Sequence, residues 1–460
     1  AGTFTLGNAT AIVAGTNIVT FDGAGNLVVS GAITGTTASL VKNGAGQLTL
    51  SGANTFDGAI AVNVGTLRIS NAGALGTAVG ATTISSGAAL ELFGFASIAA
   101  EGLSVTGTGV GGTGALRNLS GNNSFNGLVT LAGPTLIQSD AGSLFLAGAT
   151  SVVAGANALT VGGAGNVAIS GIIDGVGASL TKVGAGTLSL SGVNTFDGGT
   201  TVTAGTLSLA ASGVLNDSSS LTVNGGTFNV ATFNETINQV ILSSGTIAGS
   251  TGALTSTQPF DLRMGTVSAI LGSGALTKST AGSVTLTGAN TFTGGTTLSA
   301  GTLVIGATDA LPGAIAISGT GALSLGAFNN AAGAVTFSAG TITSTTGELR
   351  ATSLTANNAA AATIAGLLGG AGTLTKNGAG VLTLSGTNTY TGDTTITAGT
   401  LQAGANAAFG TSTVRLTAGI LDLNGRTIGN SVVMTGGTIS GGTLSASLLT
   451  PTVGTVSAIL

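Results

Sequence analysis

The chain has no cysteine, no histidine and no tryptophan, and only one tyrosine and four prolines among 460 residues. Without cysteine there is no disulfide framework, no thiolate nucleophile and no cysteine-ligated metal. Without histidine there is no Ser-His-Asp triad, no imidazole metal site and no histidine pH switch. Charge is scarce too: ten basic and fourteen acidic residues give a net charge of −4. Ten basic residues over this length make no electrostatic footprint for nucleic acid, and no nucleic-acid partner is expected. Charge-free stretches are long, as from Ala141 to Ile173, but Gly, Ser, Thr and Asn break them every few residues. A membrane-spanning helix wants about 20 predominantly apolar residues, so membrane insertion is not expected. The start, Ala1-Gly2-Thr3-Phe4, has no basic leader region. Such a segment is expected to have been removed, or the chain to be part of something longer.

What is present is glycine, 82 of it, and a hydrophobic fraction of 43%. That fraction is too high for a disordered chain. Val, Leu and Ile alternate with Thr and Ser, as in Leu48-Thr49-Leu50-Ser51 and Leu188-Ser189-Leu190-Ser191. Period-two alternation reads as half-buried strand. Gly-Ala, Ala-Gly or Gly-Gly follows every five to eight residues. The grammar is strand, bend, strand, bend.

One phrase recurs. It reads KNGAGQLTLSGANTFDG from Lys42, KVGAGTLSLSGVNTFDG from Lys182, KSTAGSVTLTGANTFTG from Lys278 and KNGAGVLTLSGTNTYTG from Lys376. Each copy leads to a Gly-Thr-Leu, at Gly65, Gly205, Gly301 and Gly399. A worn fifth copy runs from Ala115. The Ser or Thr before the second Gly falls at Ser51, Ser120, Ser191, Thr287 and Ser385, giving intervals of 69, 71, 96 and 98. Taken as three, three, four and four units, these intervals predict a coil of about 24 residues and about 19 coils. Thr3 to Leu67 also aligns without gaps onto Ser143 to Leu207, an offset of 140 residues. The expected fold is all-β: one continuous parallel β-solenoid over 1–460, coils about 4.8 Å apart, roughly 90 Å in length. Signature repeats lie near 42–67, 115–136 (degenerate), 182–207, 278–303 and 376–401.

The phrase K-x-G-A-G-x-L-x-L-S-G-x-N-T-[FY]-x-G followed by A-G-T-L resembles the autotransporter-associated β-strand repeat, found in passenger regions of bacterial type V secreted proteins. The resemblance implies a right-handed β-helix exported to the cell surface or beyond, and a C-terminal barrel translocator. No barrel pattern with aromatic girdles is present in this sequence. The two ends fall inside the repeat. Gly454 to Leu460 duplicates Gly265 to Leu271, and Ala1 to Leu6 matches the middle of the signature. Uncapped solenoid ends are open templates for pairing. The expected partner is therefore the chain itself, through end-to-end stacking, or a longer covalent chain.

The search for chemistry yields no candidate catalytic, cofactor-binding or metal-binding residue. The fourteen acids are Asp22, Asp57, Asp140, Asp174, Asp197, Asp217, Asp261, Asp309, Asp393, Asp422, Glu91, Glu101, Glu235 and Glu348. Nearly all stand tens of residues from the next, and they are expected to be solvated turn residues rather than a glycosidase pair or a calcium site. Asp57 and Asp197 share a motif position and are expected six coils apart. Lys42, Lys182, Lys278 and Lys376 precede the Gly-Ala-Gly bend and are expected at corners in water, with Arg117 a surface cation in the worn copy. Asn54, Asn194, Asn290 and Asn388 are expected beside bends, bonding their own backbone. Phe56, Phe125, Phe196, Phe292 and Tyr390 are expected to stack in the core. Gly23-Ala24-Gly25 and Gly369 to Gly372 precede no helix pattern, so they are no phosphate loop. The expected role is a non-catalytic extracellular structural segment of a bacterial surface fibre, stalk or sheath, with no cofactor. An adhesin is the alternative. It would need surface features in the widest departures from the signature, Glu91 to Val110 and Gly213 to Arg263, where Phe228, Phe233 and Phe260 lie. A carbohydrate-active enzyme is the second alternative.

Overall fold

The computed structural model describes residues 2–94, 97–99, 101–445 and 449–459. Ala1 and Leu460, on which the expectation about mid-repeat ends bears, lie outside them. The chain divides into two compact units, Ala1–Asn238 and Gln239–Leu460.

Short strands follow one another around a three-sided turn. In the first unit one turn consists of Ile18–Phe21, Asn26–Val29 and Ala32–Thr34, and the next begins at Ser39–Lys42. Each strand pairs in parallel with its counterpart one turn on: Ile18 with Ser39, Leu27 with Leu48. A parallel β-solenoid results, because alternating sequence gives each strand one apolar face and the glycine corners turn that face inward at every side. Along one side of the first unit, Leu48, Leu67, Leu90 and Leu116 are successive partners, and all four are buried. Each such side chain contributes about 2 kcal/mol by leaving water. The second unit is built the same way, from Phe260–Leu262, Gly265–Val267 and Ile270–Leu271 onward.

The turns are shorter than the copy intervals suggest. Register steps on the ladder through Leu48 run from 19 to 26 residues, and in the second unit from 16 to 20. The expectation of about 24 residues and about 19 coils is thus corrected. One ladder of the first unit alone holds eleven strands, from Thr3–Leu6 to Ser220–Asn229. One ladder of the second holds twelve, from Gln239–Ala248 to Leu449–Pro451.

The division by three and four failed because copies need not fall on the same side of the solenoid. The strand after Lys42, Gln47–Leu50, lies six ladder steps before Leu180–Lys182, the strand that carries Lys182. The first two copies are therefore six turns and one side apart, not a whole number of coils. Asp57 and Asp197 accordingly lie on different sides. In the second unit Lys278, Leu298, Ile317, Phe337, Ala356 and Lys376 are successive partners, so 98 residues there make five turns.

Candidate functional site

The polar residues of the signature point inward. Lys42, Lys182, Lys278 and Lys376 are at most 3% exposed, which overturns the expectation of corner residues in water. Their strands alternate inward and outward, and the lysine sits at an inward position just before the bend: Leu180 in, Thr181 out, Lys182 in. The stem fills the end of the core, and the ammonium turns back on the corner carbonyls. Lys182 Nζ donates to the carbonyls of Val183 (2.6 Å), Gly184 (2.8 Å) and, one turn on, Ala204 (3.4 Å). Lys42 donates to Gly44 and to Val64 one turn on, Lys278 to Thr280 and to Ala300 one turn on, and Lys376 to Gly378. Burial pulls all four ammonium groups below their usual range, Lys182 to about 8; Asp22 and Asp261 partly offset this for Lys42 and Lys278.

The second arch of each clasp explains the Gly-Thr-Leu. Gly65, Gly205, Gly301 and Gly399 have φ of +76°, +62°, +69° and +66°. A methyl on Gly205 would also collide with the carbonyl oxygens of Gly184 and Gly186 one turn earlier and come within 2.8 Å of Lys182 Nζ. Glycine is needed there both for the left-handed backbone and for the close stacking of one arch on another.

The signature asparagines are fasteners of a second kind. They do not bond their own backbone, as expected from sequence; each links the turns before and after. Asn54 Oδ1 accepts from the Ile33 amide at 2.8 Å, and its Nδ2 donates to the Ala74 carbonyl at 2.6 Å. Asn194 joins Ile173 to Val214, Asn290 joins Leu271 to Ala310, and Asn388 joins Leu368 to Ala408 in the same way. All four are buried. Phe56, Phe125, Phe196, Phe292 and Tyr390 are core residues, as expected, and the Tyr390 hydroxyl meets Thr394 Oγ1 at 2.7 Å.

Several acids depart from the expectation of isolated, solvated turn residues. Stacking brings residues 23 and 26 apart into contact. Glu91 takes Arg68 on one side (2.8 Å) and Arg117 on the other (2.8 Å), and Arg117 also reaches Asp140. Arg117 is thus a half-buried link in an ion-pair ladder rather than a free surface cation. Beside it the Arg68 guanidinium lies 5.7 Å from the centre of the Phe93 ring. Glu101 and Glu235 are buried, and burial pushes both carboxyls up to about 7. Thr82 donates to Glu101 (2.9 Å), and the Val214 amide donates to Glu235 (2.8 Å). Asp57 and Asp393 do lie at corners, but each accepts a hydroxyl from the next turn, Thr77 and Ser412. Sequence reasoning missed these contacts because it measured separation along the chain; a register of about 20 residues would have found them.

Of the two segments that depart most from the signature, the first leaves the sheet as a short loop ending in the 3-10 turn Val110–Gly112. The second folds into strands, with Phe228 and Phe260 in the core and Phe233 half-buried. An open depression of about 240 Å³ in the second unit is lined by Gly, Ala, Thr and Ile, including Gly295, Thr297, Ala316 and Thr336. Among the described residues no group of three acids is placed to hold a metal ion, and no helix is long and apolar enough to cross a membrane.

The passenger-associated-transport-repeat family model matches residues 40–69, 180–209, 276–305 and 374–403. These are the four clear copies, each spanning one Lys clasp and one Asn bridge; the degenerate stretch near 115–136 is not among them. No curated protein and no solved structure matches the chain.

Proposed function

We propose that this chain, which carries four passenger-associated-transport repeats on a parallel β-solenoid and is autotransporter-passenger-like in both respects, serves outside the cell as a non-catalytic structural segment of a bacterial surface stalk or fibre. The observation that carries this reading is the use of the signature's polar residues. Lysine, asparagine and glycine, the groups that define the repeat, are buried and hold one turn to the next. A repeat whose invested chemistry is inter-turn fastening suits a body that must resist being pulled apart.

The test is single-molecule stretching between the ends of the chain. A mechanical body unravels in discrete steps, each releasing one or a few turns, about 65 Å of contour per 20-residue turn. Asn388→Ala lowers the force of the steps around it. Smooth extension at low force, insensitive to that substitution, overturns the proposal.

One observation favours the adhesin as a second reading. Arg68, Glu91, Arg117 and Asp140 form the longest ion-pair run, beside the exposed Phe93 ring and the loop at Val110–Gly112. Binding of the chain to immobilised glycans or matrix proteins, abolished by Phe93→Ser, supports that reading; binding unaffected by the substitution removes its local basis.

A further inference from the structure

The signature asparagines share one connectivity: Oδ1 takes an amide from the turn before, and Nδ2 gives to a carbonyl of the turn after. Glu235 stands in the same relation to the turn before it. Its Oε2 takes the Val214 amide 21 residues earlier at 2.8 Å, as Asn194 Oδ1 takes the Ile173 amide 21 residues earlier at 2.8 Å. Both act on one column, because Asn194 Nδ2 holds the Val214 carbonyl at 2.8 Å. Val214 is therefore held from both sides, by an amide side chain on one and a carboxyl on the other. The other oxygen, Glu235 Oε1, is buried and has no hydrogen-bond partner. An asparagine has an NH2 group at that place. A carboxylate has only lone pairs, whereas a carboxylic acid has an O–H and regains a donor.

We infer that Glu235 is a proton-operated form of the signature asparagine: protonated, it fastens the last turn of the first unit, and ionised, it loosens it. The surroundings agree. The flanking Val214, Leu215 and Ile237 are buried apolar residues. The charged group acting on Glu235 is Asp217, whose like charge disfavours ionisation. Burial is the larger cause, and the amides of Val214, Leu215 and Thr236 oppose it; the balance holds the carboxyl at about 7, against 4.5 when free. An ionised Glu235 places an unpaired oxygen and a charge in a dry core, and opening the turn to water relieves both.

Hydrogen–deuterium exchange of the full chain between pH 5 and 8.5, normalised for intrinsic exchange, tests this. In the wild type the opening equilibrium at Val214 and Leu215 rises by about tenfold per pH unit up to pH 7 and levels off above it. In Glu235→Gln, whose amide keeps a donor at all pH, the same peptide is insensitive to pH and is better protected than wild type at pH 8 by up to about two orders of magnitude. A flat wild-type profile, or an equal slope in the Gln variant, overturns the inference. Should Glu235→Gln not fold, Glu101→Gln leaves Glu235 as the remaining carboxyl pushed up by burial. Its infrared difference spectrum between pH 5.5 and 8.5 then contains a protonated-carboxyl band lost with an apparent pKa near 7. Absence of that band overturns the inference equally.

Discussion

Replacing Asn290 by Asp exchanges one NH2 group for an oxygen and leaves shape and backbone alone. Asn290 Oδ1 accepts the Leu271 amide at 2.8 Å, and its Nδ2 donates to the Ala310 carbonyl at 2.7 Å; the residue is 7% exposed. The aspartate keeps the first bond and loses the second. An unpaired buried carbonyl costs about 1–3 kcal/mol, and a carboxylate facing that carbonyl in a dry site raises the loss at pH 7 to about 3–5 kcal/mol. At pH 4 the buried aspartic acid holds its proton, its O–H replaces the lost N–H, and the deficit shrinks to about 1 kcal/mol. Asn290→Ala removes both bonds and has nothing to titrate, so its deficit does not change with pH. The assay is hydrogen exchange at the Leu271 amide, with urea unfolding alongside. A whole-chain transition alone is insufficient, since turns of a solenoid unfold in groups. Equal, pH-independent losses for Asp and Ala, or no loss in either, would refute the bridging role and with it the logic applied to Glu235.

Gly205→Ala forces a left-handed alanine against the Gly184 and Gly186 carbonyls and costs at least about 2 kcal/mol, read as lost protection in the turn from Lys182 to Leu207. Lys182 has a folded value of about 8 against 10.5 when free, so its charged form is disfavoured on folding. The wild type should therefore gain stability between pH 8 and 10.5, by on the order of 3 kcal/mol, and Lys182→Met should not, as denaturant midpoints across that range will reveal. Glu101 is displaced the other way, from 4.5 to about 7, so stability falls as pH rises between those values by on the order of 3 kcal/mol. Glu101→Gln abolishes that share of the slope in the same titration. Arg117→Met leaves Glu91 with Arg68 alone and Asp140 without its cation, and lowers stability by about 1–3 kcal/mol, less so in high salt.

The solenoid, the strand alternation and the aromatic core were legible in the sequence because each leaves a periodic mark. Leu48 and Leu50 face in, Thr49 faces out, and the same phrase returns at Leu188 to Leu190. Lysine burial left no such mark. Composition says that a cation beside glycine belongs in water, and only the inward parity of Lys182 on its strand, two residues after Leu180, contradicts it. That parity was readable but was outweighed by the usual cost of burying a charge. The turn length was misread for a geometric reason: an interval between like residues gives the pitch only when both lie on the same side.

The failure of that division also says something about how the repeat works. The matched stretch 40–69 is about one and a half turns long, more than the solenoid's own period. A match of one turn would contain Lys42 and its Gly44 arch but not Gly65, the arch that stacks on it and whose neighbour Val64 shares the ammonium. The signature is therefore the smallest piece of sequence that holds both halves of a clasp. Because each copy closes on itself, it does not depend on where the previous copy fell. The first and second copies sit on different sides of the solenoid, and each still forms its own Lys clasp and Asn bridge. Moving a whole copy by one side should then be tolerated, whereas separating Lys42 from Gly65 by one inserted side should not. A variant with about seven strand-and-corner residues inserted after Gly73 keeps the clasp intact, and the same insertion after Ser51 divides it. Exchange protection at Asn63 and Val64 should survive the first and be lost in the second; loss in both would mean that the turns depend on phase after all.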